Sequence, residues 1–392
     1  MSSMELKEAR KGMPARFTRL GWLLLAAGLA LSAAAYSSDA VRSSFNNVVL
    51  FLFLASIAVG AIFLVALEYL AGAVWSVPMR RVNEMLAALV FVVPLAAVPM
   101  FFDLHDLFHW THAEAVSADP VLSGKKPYLN VEFFAIRFGV IFLLWWVFAF
   151  FFRRNSSKQD TTHDPALTRI NIRLGALFMP VFAITVTFLA IDWAMSLEPH
   201  WFSTIFGVYY FSGTVLAAVA ASTYLILKLH EAGRLPGLRR DHFYSLGALQ
   251  FAFVNFWAYI AFSQFLLIWY ADLPEENFWF MHRWESGWEY FSIFLIVVHF
   301  AVPYFMLLSQ DSKMDPRRLK FMSLWIVAAH FVDLYWLVMP THAKEFSLGW
   351  IELGFPLVAI GVVIVAVSFL LKRTNLVPVG DPKLQRGLDF RL

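Results

Sequence analysis

Ten apolar runs, each long enough to cross a membrane, constrain this chain more than any other feature. They lie near residues 20–37, 46–74, 82–102, 131–152, 171–192, 204–228, 242–270, 287–309, 319–341 and 349–371. About 20 apolar residues in a helix cross roughly 30 Å of hydrocarbon. Only a helix or a closed barrel satisfies its backbone there. Of the 392 residues, 60% are apolar and 15% charged, against about 25% charged in an ordinary soluble domain. That excludes a soluble enzyme and a disordered chain. The expected fold is an all-α polytopic membrane protein with ten transmembrane helices. A basic arm (1–19) precedes a single transmembrane domain (20–371), and a tail (372–392) follows. The first run follows a polar arm with no convincing cleavage site, so it reads as a span and not a cleaved signal. The chain has no Cys, which excludes disulfides, thiolate metal sites, iron–sulfur clusters and covalently attached c-type haem on it.

All but six of the 31 Lys and Arg fall in alternate connections and the two termini. The six are Arg42, Lys125, Lys126, Arg137, Arg283 and Lys344. Cytoplasmic loops carry the excess of positive charge, so both termini are expected in the cytoplasm. The opposite side is acidic and aromatic. Its longest loops are 103–130 and 271–286, each after the second span of a four-span block if blocks run from spans two to five and six to nine. This hints at a parallel duplication, with spans one (20–37) and ten (349–371) as flanks.

Ionisable side chains inside a membrane are costly and read first as functional or paired. The candidates are Glu68, Asp192, His299, His330 and Asp333. His330 and Asp333 stand one turn apart near mid-depth, where a carboxylate can orient an imidazole and tune its proton affinity. His299, on the preceding span, could extend a proton chain. The plainer reading is a hydrogen-bonded pair fastening two helices. Two histidines at one depth also admit haem b ligation, although a four-helix cytochrome would hold more buried histidines. Glu68 could be the inner end of a proton path, or a carboxylate paired with a neighbouring helix. Asp192 could lie at the outer exit, or merely cap a loop. Asn255, Tyr259 and Ser263 form a polar stripe on span seven. His105, His109 and His112 have helical spacing for a metal face, but a polar docking loop is favoured, as it is for 272–280. Gly207 and Gly213 suit close helix packing. No phosphate-binding loop, dinucleotide glycine signature or serine elbow occurs in the connections.

Three stretches carry a family resemblance. KKPYLNVEFFAIR (125–137) follows DLHDLFHWTHAEAVSADPVL; DWAMSLEPHWFSTIFGVYYFSG spans 192–213; SQFLLIWYADLPEENFWF spans 263–280. Together they resemble the NrfD-like (polysulfide reductase membrane subunit-like) integral membrane subunits of bacterial alternative complex III, most of all the ActF type, across essentially the whole chain. The resemblance implies two four-helix bundles (about 46–192 and 204–341) with two flanking helices, in a bacterial inner membrane. It implies a subunit of a quinol:electron-acceptor oxidoreductase that provides a proton path and, as a further option, binds quinol. It implies that this chain alone holds no cofactor. Haem c and iron–sulfur clusters would lie in partners: a multihaem cytochrome c, an iron–sulfur protein and a homologous NrfD-like subunit. Lipid surrounds the chain and no nucleic acid is expected. The proton-path residues implied are Glu68, Asp192, His299, His330 and Asp333. The alternatives are a membrane scaffold for haem and iron–sulfur subunits, a haem b cytochrome and a secondary transporter.

Overall fold

A computed structural model describes residues 14–392, so residues 1–13 of the basic arm lie outside the described residues. Among the described residues there are helices and no strands. Ten helices are long and apolar enough to cross a membrane: α1 (Ala15–Ser38), α2 (Ala40–Ala71), α3 (Val77–Phe102), α4 (Val131–Thr162), α5 (Pro165–Leu197), α6 (Phe206–Glu231), α7 (Arg240–Ala271), α8 (Trp288–Leu307), α9 (Pro316–His342) and α10 (Trp350–Leu371). Each answers one apolar run. Several, such as α4, run on as polar turns beyond it.

Local chemistry sets the ends. Asp39 caps α2 by accepting from the Arg42 amide at 3.0 Å, and Asn130 caps α4 through the Phe133 amide at 2.9 Å. Asp164 and Asp315 cap α5 and α9 ahead of Pro165 and Pro316, where proline loses no helical hydrogen bond. Gly72 closes α2 with φ +63°, a left-handed conformation that glycine adopts freely. α8 is not regular. Pro303 has no N–H to give the His299 carbonyl, and the helix widens into a π turn over Val297–Ala301, with the Val302 amide reaching the Val297 carbonyl. Such turns concentrate at functional positions.

α2 and α6 are buried along most of their length and form the centre. α2 packs on α3, α5, α6 and α9; α6 packs on α5, α7 and α9. Small residues permit this. A Cβ on Gly60 would lie 2.6 Å from the Ala218 Cβ and 2.7 Å from the Thr214 carbonyl oxygen. α1 packs mainly along α10: Gly21 faces Ile364, Gly28 faces Val358 and Gly361 faces Leu25. This antiparallel pair brings the start of α1 and the end of α10 to one end of the molecule. The tail packs at that same end, here called the basic end, where Asp381 pairs with Arg80 at 2.6 Å and the Gly387 carbonyl meets His242 Nε2 at 2.9 Å. The opposite, acidic end carries the loops 103–130 and 272–287.

Gly60→Val should lower stability by ~1–3 kcal/mol through overpacking, seen as a lower thermal unfolding midpoint in detergent. Gly139→Val is the control, because a Cβ at Gly139 meets nothing within 4 Å and its midpoint should stay unchanged.

Candidate functional site

Asp192, Glu68 and Asp333 resolve the cost of a buried carboxyl differently. Asp192, at the acidic end of α5, accepts two bonds from the Arg137 guanidinium, both at 2.8 Å, and one from the Tyr128 hydroxyl at 2.9 Å. The guanidinium also lies over the Tyr128 ring at 3.9 Å. Asp192 is therefore held in a bidentate ion pair that joins α4 to α5, neither a free carboxylate nor a helix cap. Burial beside Asp192 pushes the Tyr128 phenol above its ordinary range.

Glu68 lies in a network at the basic end. Arg80 reaches Glu68 at 3.0 Å, Glu84 at 3.5 Å and Asp381 at 2.6 Å. Arg81 reaches Glu84 at 2.8 Å and Asp160 at 2.7 Å. The tail supplies Asp381 and fits closely, since a Cβ on Gly380 would overlap the Gln159 carbonyl. Glu68 stands 12 residues beyond Ser56 on α2, roughly 18 Å along the axis, and the residues between are apolar. The structure does not bring Glu68 or Asp192 to the central histidines.

Asp333 has no cation. Its Oδ1 accepts from the Tyr209 hydroxyl of α6, and its Oδ2 accepts from Trp257 Nε1 of α7 at 3.2 Å. His330 Nδ1 lies 3.9 Å from Oδ2, too far for a hydrogen bond. His330 Nε2 lies 2.9 Å from Ser56 Oγ, and Ser56 gives its own proton to the Phe53 carbonyl at 2.8 Å. Nε2 then carries the imidazole proton and Nδ1 presents a lone pair toward Asp333. Gly213 faces this gap. A Cβ there would sit 3.0 Å from His330 Cε1 and 3.5 Å from Asp333 Oδ2. The small residue expected to serve packing thus also leaves room beside the His–Asp pair. His299 comes close, with its ring centre 6.3 Å from that of His330 and 4.1 Å from that of Trp257. Both of its nitrogens lack a hydrogen-bond partner. The expected chain of His299, His330 and Asp333 is therefore gathered in one place without being joined by direct hydrogen bonds. Trp257 packs on His299, and Ser56 and Gly213 lie against His330.

Tyr209 and Trp257 were not singled out by sequence reasoning. Both also line a cavity of about 690 Å³ between α7 and α8. Its mouth is flanked by Tyr259, Phe262 and Ile296, 65, 59 and 51% exposed on the outer surface of the helices. Inside lie Gln264, whose Oε1 is buried without a partner, and Asn255. The polar stripe on α7 is thus divided: Asn255 and Tyr259 face the cavity, while Ser263 does not line it. A mostly apolar chamber with a few convergent polar groups is what small-molecule sites look like.

Two of the outer histidines are hydrogen-bonded within their own loop. His105 Nδ1 pairs with Thr111 Oγ1 at 2.9 Å and His112 Nε2 with the His105 carbonyl at 2.8 Å. Among the described residues no cluster of acidic and imidazole side chains has metal-binding geometry. His109 instead lines a second cavity of about 470 Å³ at the acidic end, with His200, His282, Glu198 and Lys344. The loop residue Arg283, also missed, is fully buried. Its Nη1 donates to the Trp279 carbonyl and its Nη2 to the Leu337 carbonyl, both at 2.8 Å. Burial pulls this guanidinium down to about 10, which leaves it charged at neutral pH.

No family model matches this chain, and no curated protein matches it.

Arg137→Met should destabilise the chain by ~3–5 kcal/mol, because it strands Asp192 as an unpaired buried charge. Arg137→Met with Asp192→Leu should recover most of that loss in the same thermal unfolding measurement.

Proposed function

We propose that this chain is an NrfD-like membrane subunit of a quinol-oxidising complex of the alternative complex III kind. In this reading it takes a lipid-soluble quinol into the cavity between α7 and α8 and passes protons to Asp333. The observation that carries the reading is that Tyr209 and Trp257 line the cavity and both hydrogen-bond Asp333. The cavity opens beside exposed apolar side chains, so a ligand dissolved in the bilayer could enter sideways. Its volume, about 690 Å³, falls within the usual range for small-ligand pockets.

Quinol oxidation releases two electrons, which would pass to the haem and iron–sulfur centres of the partner subunits, and two protons per ring, which need acceptors whose charge change is tolerated. Asp192 and Glu68 are committed to arginines. Asp333 meets only neutral donors, and the lone pair of His330 lies one small movement away. Tyr209 can relay a proton by accepting at its oxygen while its own hydrogen goes to Asp333. Toward the basic end, α9 and α7 offer a buried polar step in Ser323 and Gln250, 2.9 Å apart. Glu68 and Asp192 then serve the frame, and His330, Asp333 and His299 the chemistry.

The wider assignment follows the same reading. The Lys/Arg asymmetry supports cytoplasmic termini, and the family resemblance implies a bacterial inner membrane. The packing of α2 with α3 and α5, and of α6 with α7 and α9, supports two four-helix bundles flanked by α1 and α10. The loops 103–130 and 272–287 would face the cytochrome and iron–sulfur partners, and a second NrfD-like subunit would lie in the membrane beside this one. A transporter would have paired broken helices in equivalent positions. The interruptions here fall in α3 and α8, the second span of one block and the third of the other.

Asp333→Asn should leave insertion and assembly intact while lowering the protons translocated per electron during quinol oxidation. An unchanged ratio rejects the proton role. Ala261→Trp, which fills the cavity from α7, should weaken binding of a quinone analogue at least tenfold; undiminished binding removes the cavity from the mechanism.

A further inference from the structure

Residues 278–286 stand between the two cavities. Phe280 and Trp284 face the lateral cavity, whereas Phe278, His282 and Glu285 face the acidic-end cavity. A wall one segment thick needs something to hold it, and the chemistry of α9 supplies the anchor. Pro340 has no N–H, so the Trp336 carbonyl, four residues earlier, loses its helical donor. Arg283 Nε turns to that carbonyl at 3.3 Å, while Nη2 takes the Leu337 carbonyl at 2.8 Å. Nη1 folds back to the Trp279 carbonyl at 2.8 Å, and the guanidinium lies 3.4 Å over the Trp279 ring. The Arg283 carbonyl in turn accepts from Ser292 Oγ of α8 at 2.7 Å, and Ser292 accepts from Trp336 Nε1 at 2.8 Å. Arg283 thus joins the wall to α9 through its side chain and to α8 through its carbonyl, and Trp279 stacks on Trp201 at 4.4 Å to tie in the loop before α6.

We infer that Arg283 is a positioning residue for the lateral cavity: it pins residues 278–286 as a partition separating that cavity from the one at the acidic end. The inference rests on the quinol reading for its functional consequence, but the partition itself does not. A charged guanidinium sealed among tryptophans and carbonyls costs desolvation. It is offset here by hydrogen bonds to three carbonyl oxygens and by the cation–π contact. Glu198 carries the nearest carboxylate, 3.9 Å away, and belongs to the acidic-end cavity. Arg283 therefore contacts a residue lining each chamber, Glu198 on one side and Trp336 on the other.

The absence of native cysteine allows a direct test. Phe280→Cys is placed in the full chain and labelled in sealed vesicles with a membrane-impermeant maleimide added at the acidic end. With Arg283 present, labelling should be slow. With Arg283→Met it should rise at least fivefold, and with Arg283→Lys, which keeps the charge but not the three-way fork, it should fall in between. Equal rates in all three backgrounds overturn the partition. A folding defect is recognised separately by the thermal midpoint, and Trp284→Cys gives a second reporter if the first variant does not assemble. In quinol oxidation, Arg283→Met should raise KM at least tenfold with kcat within about twofold. If KM is unchanged and the rate falls only in proportion to folded protein, the residue is merely structural. Should the unmutated chain bind no quinol at all, the functional reading fails while the labelling result still decides the partition.

Discussion

A carboxyl group inside an apolar bundle must be answered by groups from other helices, and the arrangement of this molecule follows from how Asp333 is answered. Asp192 and Glu68 are neutralised by arginines, which turns them into fasteners. Asp333 receives only a phenol and an indole. Those two donors come from α6 and α7, the acid from α9, and the neighbouring imidazole leans on Ser56 of α2. Four helices must therefore meet at one depth. Glycines at 60 and 213 let α2, α6 and α9 come close enough to do so. Neutral partners stabilise a carboxylate less than a guanidinium does, which sets Asp333 apart from Asp192 and Glu68.

The same residues link the acid to the bilayer. Trp257 bonds Asp333, packs on His299 and lines the lateral cavity. His299 sits in a π turn because Pro303 withholds the hydrogen bond that a regular helix would give it. Pro340 repeats the device one helix later and leaves a carbonyl for Arg283. In both places a missing N–H in the sequence becomes a local irregularity, and the irregularity borders the cavity.

Much of the fold was legible in the sequence because burial in lipid writes a long, simple signal: all ten apolar runs are helices of nearly the expected limits. The pair His330 and Asp333 was legible because two ionisable residues one turn apart are rare at that depth. Tyr209 and Trp257 were not, since aromatic residues are everywhere in this chain and only the packing shows which of them turn inward. The network around Glu68 was hidden for another reason, because its Arg80 is shared with Asp381. Asp381 lies more than 300 positions away, in a tail that the sequence presents merely as polar. Arg283 looked like one more loop charge; its burial depends on a carbonyl freed by a proline in a different helix. Gly213 was read as a packing residue, which it is, but what it packs against is the site.

The account turns on whether the cavity between α7 and α8 delivers a redox-active ring to the neighbourhood of Asp333. A structure of the chain in its native membrane assembly, with a quinone-site inhibitor added, decides this most directly. The account predicts the inhibitor's ring between α7 and α8, within hydrogen-bonding reach of Tyr209 or Gln264, with its tail leaving past Phe262. An inhibitor bound elsewhere, with acyl chain or nothing beside Tyr209 and Trp257, would contradict it.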